Sequence, residues 1–260
     1  MRHFRMNLGK LAAALCMATM VLTACGSGIT EEMLATRESA IAMMDSGDYE
    51  GAVEQFNSLV KEADSVTDFE LDILKYRAEA EYKLGDFAAA AYTYDILSQV
   101  DGEKAEYCYF SAMALAKAGD LTGAQDMLEA GEKLDKDGEK TGFVEALTAI
   151  ADAMVESDDY AGAKVLYQDL IDAGHGNTGI YNQLMLLAMD AGDYSEALKM
   201  SMKGQILTDG IAMKELKFNE AVCYEYLGDF AKALELFQAY VAEYGSDERA
   251  EHEIAFLETR

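Results

Sequence analysis

The chain has 260 residues, 51% of them hydrophobic, a formal net charge of −27 and neither proline nor tryptophan. That length supports a sizeable core, and without proline helices run uninterrupted, so the composition points to an all-α fold. So acidic a surface repels nucleic-acid phosphates and anionic lipid head groups, which argues against nucleic-acid binding and peripheral membrane adsorption; its plainest role is solubility.

Arg2, Arg5 and Lys10 form a positive start, and residues 11–22 are a twelve-residue apolar run. Such a run is too short to span a bilayer and has the length of a signal-peptide core. Leu22-Thr23-Ala24-Cys25 follows directly. These four residues resemble the lipobox of bacterial lipoprotein precursors: an aliphatic residue, two small residues and the modified cysteine. The resemblance implies that residues 1–24 are a signal peptide and that Cys25 takes a diacylglyceryl group. Residues 25–29 then form the lipidated start of a short flexible tether. It places the protein on the outer face of a Gram-positive cell membrane or on a Gram-negative envelope membrane. Two or three acyl chains anchor stably where one binds only marginally. Without the leader's three cations, 18 basic residues face 48 acidic ones.

Thr30 is positioned to cap a first helix. A signature then recurs: Gly-Asp, an aromatic residue or Leu, two variable residues, Ala. It begins at Gly47, Gly85, Gly119, Gly192 and Gly228, with a degenerate copy at Asp158, giving spacings of 38, 34, 39, 34 and 36 residues. A fixed period in this range signals a solenoid. Seven residues before each turn stands a small residue, Ala40, Ala78, Ala112, Ala151 or Ala221, with Met185 the exception. Nine after it stands Phe56, Tyr94, Leu128, Tyr167, Ser201 or Phe237. Closely packed helices need small residues where their axes approach and large ones in the groove beside them. Gly supplies the positive φ that ends one helix, and Asp caps the next.

Over residues 31 to 245 this pattern resembles the tetratricopeptide repeat family. It departs in lacking the family's early Trp and terminal Pro. Asp101-Gly102, Asp137-Gly138 and Asp209-Gly210 supply the breaks between repeats instead. The resemblance implies a right-handed α-solenoid of about six helix–turn–helix repeats over residues 30–260. A closing helix runs from a Ser246 cap to about Glu258, with Ala250, Ile254, Ala255 and Leu257 inward and Glu248, Glu251, Glu253 and Glu258 in water.

Catalytic and metal-binding patterns are absent. His175 and His252 pair with no other His at helical spacing, and neither H-E-x-x-H nor C-x-x-C occurs. Around Asp135-Lys136-Asp137-Gly138 the first and twelfth positions of a calcium loop would be Lys133 and Val144, which cannot ligate the ion. Cys108 and Cys223 lie three repeats apart, too far for a disulfide, and read as small buried residues. The expectation is a monomeric non-enzyme without cofactor or metal.

Family resemblance places a partner in a concave groove lined by the first helix of each pair. The inward positions are Arg37, Ile41, Lys75, Tyr82, Lys83, Tyr109, Met113 and Lys117 in the first half. In the second they are Asn182, Leu186, Met189, Phe218, Val222 and Tyr226. Aromatic and Met side chains offer apolar contact, and Lys or Arg can hold carboxylates. The alternative is that half of these pack between repeats or simply face solvent. Asp72, Glu79 and Glu106 also point inward and partly cancel the cations. The functional reading is a cell-envelope lipoprotein serving as an adaptor for a protein or extended peptide. The alternatives are a subunit of an envelope or outer-membrane assembly machine, an envelope enzyme, or a solute-capture component.

Overall fold

The structure is a computed structural model that describes residues 28–61 and 66–260. The leader, Cys25 and the first residues of the tether lie outside the described residues. Among the described residues there are thirteen helices and no strand. These are α1 (Glu31–Ser46), α2 (Tyr49–Lys61), α3 (Asp68–Leu84), α4 (Phe87–Asp101), α5 (Ala105–Lys117), α6 (Leu121–Leu134) and α7 (Phe143–Glu156). They continue with α8 (Tyr160–Asp172), α9 (Thr178–Asp190), α10 (Tyr194–Gln205), α11 (Met213–Tyr226), α12 (Phe230–Tyr244) and α13 (Glu248–Leu257). None is long and apolar enough to cross a membrane.

The helices form two compact units that divide between Ser157 and Asp158. In the first unit α1–α2, α3–α4 and α5–α6 pair, and α7 packs on α5 and α6. In the second, α8 packs on α9, α9–α10 and α11–α12 pair, and α13 closes on α12.

The recurring signature builds each turn as its chemistry requires. Gly47, Gly85, Gly119, Gly192 and Gly228 all have φ between 73° and 88°. The following Asp amide then reaches back to the preceding helix, as from Asp48 to the Met43 carbonyl at 2.9 Å. The same Asp side chain accepts the amide three residues on in all six copies, at 2.9–3.1 Å. Each cap contributes roughly 1 kcal/mol. In the degenerate fourth copy Asp158 takes the left-handed conformation itself (φ 64°), which Asp tolerates better than most side-chain-bearing residues. Thr30 caps α1, accepting the Met33 amide at 3.1 Å.

The interior follows the same register. Ala40, Ala78, Ala112, Ala151, Met185 and Ala221 are fully buried, as are Ala52, Ala90, Ala124, Ala163, Ala197 and Ala233. Phe56, Tyr94, Leu128, Tyr167, Ser201 and Phe237 are buried beside them. Burying a Phe contributes about 2–3 kcal/mol. Gly102, Gly138 and Gly210 take positive φ at the breaks between repeats. Before α11, Thr178 staples the connecting loop. Its amide donates to Asp209 Oδ2 at 3.1 Å, its hydroxyl donates to Asp209 Oδ1, and Thr178 Oγ1 accepts the Ala212 amide at 2.9 Å.

The closing helix differs from expectation in detail. Asp247, not Ser246, is its cap, accepting the Arg249 amide at 3.1 Å and the Tyr240 hydroxyl at 2.8 Å. A carboxylate pinned from two sides outcompetes the Ser246 hydroxyl, which instead donates to Glu251 Oε1 at 2.7 Å. Ala250 and Leu257 join the core cluster with Phe237 and Tyr240, whereas Ala255 is exposed. Glu253 is half-buried and turned toward Glu225.

Candidate functional site

In the first unit the inward positions of α1, α3 and α5 carry cations that are already engaged. Arg37 Nε donates to Asp72 Oδ2 at 2.6 Å, and its guanidinium lies 5.3 Å from the Tyr76 ring centre. Lys75 Nζ is 3.8 Å from Asp101 Oδ2. Burial alone would raise the Asp101 pKa, but hydrogen bonds from Lys104 and Tyr107 outweigh it and hold the carboxyl below its ordinary value. Lys83 Nζ sits 2.9 Å from Glu79 Oε1 and 5.7 Å from the Tyr49 ring centre. Lys117 Nζ is 3.9 Å from Asp152 Oδ2. Tyr82 is half-buried with its ring edge-on to Phe87 at 5.2 Å, and burial raises its pKa.

Tyr109 and Met113 are not surface residues. Tyr109 is fully buried and Met113 is 4% exposed. The Tyr109 ring packs against Phe143 at 5.5 Å, and its hydroxyl donates to Asp135 Oδ2 at 3.3 Å. Asp135 also accepts the amides of Glu139 and Lys140, folding the loop before α7 down over the ring. Two groups in this unit escaped the sequence reading: Asp135 as loop organiser, and a buried knot of Arg77, Glu81 and Thr93. Arg77 Nη2 donates to Thr93 Oγ1 at 2.7 Å, and Thr93 donates to Glu81 Oε2 at 2.6 Å. Burial raises the Glu81 pKa despite Thr93 and Arg77. The four-residue spacing of Arg77 and Glu81 on one helix was the available signal.

A hollow of about 270 Å³ lies between α4, α5 and α6, with the Cys108 thiol in its wall. Burial raises the Cys108 pKa and pushes that of Cys223 up to about 12, so both are thiols at neutral pH rather than nucleophilic thiolates. Both are free and buried. Among the described residues no three His, Cys, Asp or Glu side chains converge as metal ligands would.

The second unit presents a different surface on α9 and α11. Asn182 Oδ1 accepts from Asn219 Nδ2 at 3.1 Å, tying the two helices in register. Leu186 is 36% exposed and Met189 is half-buried. Phe218 belongs to the core edge, with rings of Phe237 and Tyr240 at 5.4 and 5.5 Å and the Arg249 guanidinium 4.5 Å above it. Tyr226 is 66% exposed and stacks face to face on Tyr194, ring centres 4.6 Å apart and planes at 10°. The sequence-predicted residues that remain open in this unit are thus Leu186, Met189 and Tyr226, with Asn182 as a bridge.

Residues 215–246, which comprise nearly all of α11 and all of α12, match the family model described as tetratricopeptide repeat. A sequence search finds no match among curated proteins. A tetratricopeptide repeat protein from Parabacteroides merdae superposes with a TM-score of 0.56 at 14% identity, covering 86% of this chain and 84% of that one. PilW, a widely conserved type IV pilus biogenesis factor, gives 0.61 at 14% identity over 88% of this chain and 99% of its own. YrrB, described as a tetratricopeptide repeat protein with an unusual peptide-binding site, gives 0.52 at 18% identity over 65% and 84%. With six capped turns and one repeat, residues 215–246, matched by sequence, the chain has the tetratricopeptide repeat fold.

Proposed function

We propose that the protein is a cell-envelope lipoprotein, anchored through Cys25, whose repeats act as an adaptor for a protein or an extended peptide. Repeat arrays of this kind generally serve as interaction scaffolds, because stacking consumes most side chains and leaves a continuous surface for recognition. The observation that carries the reading is the exposure of Leu186 and Tyr226, with half-buried Met189, at inward positions of α9 and α11. The peptide-binding site described for YrrB lends support, as does the leader ending in Leu22-Thr23-Ala24-Cys25. Likeness to PilW over 88% of the chain favours a narrower second reading, a subunit of an envelope assembly machine.

The test is cross-linking of the membrane-bound protein in its own host, comparing the native chain with Leu186→Asp. A specific protein captured by the native chain and lost in the variant is the expected result, and several co-captured subunits would favour the assembly reading. Capture unaffected by the substitution would refute the placement of the site. Metabolic labelling with palmitate checks the anchor: the label is expected on the native chain, and its persistence in Cys25→Ala would refute attachment there.

A further inference from the structure

The inward cations of the first unit are each met by a carboxylate: Arg37 by Asp72, Lys75 by Asp101, Lys83 by Glu79 and Lys117 by Asp152. None is left to hold a partner's acidic group. The second unit goes further. Residues 158–260 hold 8 Lys and Arg against 19 Asp and Glu. Helix α9 has no cation, and the two on α11 are drawn away, Lys214 to Asp247 at 3.7 Å and Lys217 to Glu243 at 2.6 Å. Glu225, next to Tyr226 in the chain, turns instead toward Glu253 on α13, and the Asn182–Asn219 bridge holds α9 and α11 in register, with Met189 and Tyr226 each seven residues further on.

Tyr226 is built to meet a cation. Tyr194 covers one face of its ring at 4.6 Å, holding it rigid, while 66% of the residue stays in water and leaves the other face open. An aromatic face attracts Lys ammonium and Arg guanidinium groups, and the net negative charge of the unit reinforces the attraction. We infer that the α9–α11 surface binds a basic, apolar-anchored segment, with a Lys or Arg side chain over Tyr226 and an aliphatic neighbour against Leu186 and Met189. The inference rests on the adaptor reading and names its partner's chemistry.

The experiment titrates the full chain into fluorescein-labelled peptides of fixed Leu and Phe content. Their net charges are about +4, zero and about −4, and the salt is about 0.15 M so that long-range attraction is screened. The basic peptides are expected to bind at least about tenfold more tightly than the acidic ones. Tyr226→Ala changes no charge and removes an exposed side chain, so the fold persists; it is expected to weaken the basic peptides about fivefold, with Tyr226→Phe near native. Equal binding of neutral or acidic peptides would overturn the inference while leaving the groove in place. Unchanged affinity in Tyr226→Ala would overturn it too, reducing the preference to bulk charge. If no peptide bound at all, the groove reading itself would fall with it.

Discussion

Gly131 sits inside α6, where helix propensity alone says that alanine should stabilise by about 1 kcal/mol. The structure predicts the opposite sign. A Cβ at Gly131 would lie 2.4 Å from Tyr109 Cε1, 2.7 Å from Cδ1 and 3.0 Å from Cζ. The ring cannot retreat: it is fully buried, backed by Phe143 at 5.5 Å and tied through its hydroxyl to Asp135. Overpacking of this kind costs about 1–3 kcal/mol or more, and a contact a full ångström too short belongs at the upper end. Gly131→Ala should therefore destabilise the first unit by about 1–2 kcal/mol net of propensity. Urea unfolding followed by circular dichroism gives the overall change. Hydrogen exchange on α5 and α6 localises it, which matters because two units need not unfold together. In a Tyr109→Leu background the clash is gone and the same substitution should become neutral or stabilising. A rise in stability from Gly131→Ala alone would refute the close packing of α5 on α6.

Two further outcomes follow from the second unit. Thr178→Val keeps the buried shape but strips the hydroxyl from between Asp209 and the Ala212 amide; the loss should be about 2 kcal/mol, with exchange rising in residues 206–212. The docking of α13 should respond to pH in two opposed steps. Glu225 has a raised pKa, from burial and then from Glu253, so its protonation favours the folded state as pH falls from neutrality into the carboxylate range. Asp247 is held low by Arg249 and Tyr240, so its stabilisation is present above the unfolded value, about 3.9, and is lost as acid protonates it below that. Amide protection of α13, corrected for intrinsic exchange, should therefore rise as pH falls from 7 into the carboxylate range and fall again below about pH 4; a monotonic decline from pH 7 would contradict the Glu225–Glu253 contact.

What the sequence made legible was whatever the backbone demands in every repeat. A turn that needs positive φ and then an acceptor for orphan amides can be written in few ways, so Gly-Asp recurs and Asp158 stands in for Gly with φ 64°. The Ala positions at helix crossings were equally readable: Ala40, Ala78, Ala112, Ala151 and Ala221 are fully buried, as is Met185, the one large residue in the series. Tyr109 was misread as a groove residue because its helical register is inward. The 39-residue spacing that follows it inserts a loop from Asp135 to Gly142 that folds over the ring. The insertion was visible in the sequence; the direction of its fold was not. Phe218 illustrates the same limit, since Arg249 on α13 lies over a face that the repeat register alone leaves open.

The two units divide the work of the charged residues differently. In the first, cations and carboxylates on the inward face satisfy one another, with most pairs partly exposed and each contributing little to stability. Their larger effect is to remove that face's capacity to discriminate by charge, since a partner would have to break an existing pair to form a new one. In the second, the Lys side chains of α11 leave the inward face for α12 and the α13 cap, where Lys217 reaches Glu243 and Lys214 reaches Asp247. The same ion pairs that fasten the end of the array thus strip its inward face of cations, leaving the exposed Tyr226 ring as the charge-selective feature. Lys217→Gln and Lys214→Gln should loosen the cap without admitting acidic peptides, because neither change adds a cation to α9 or α11.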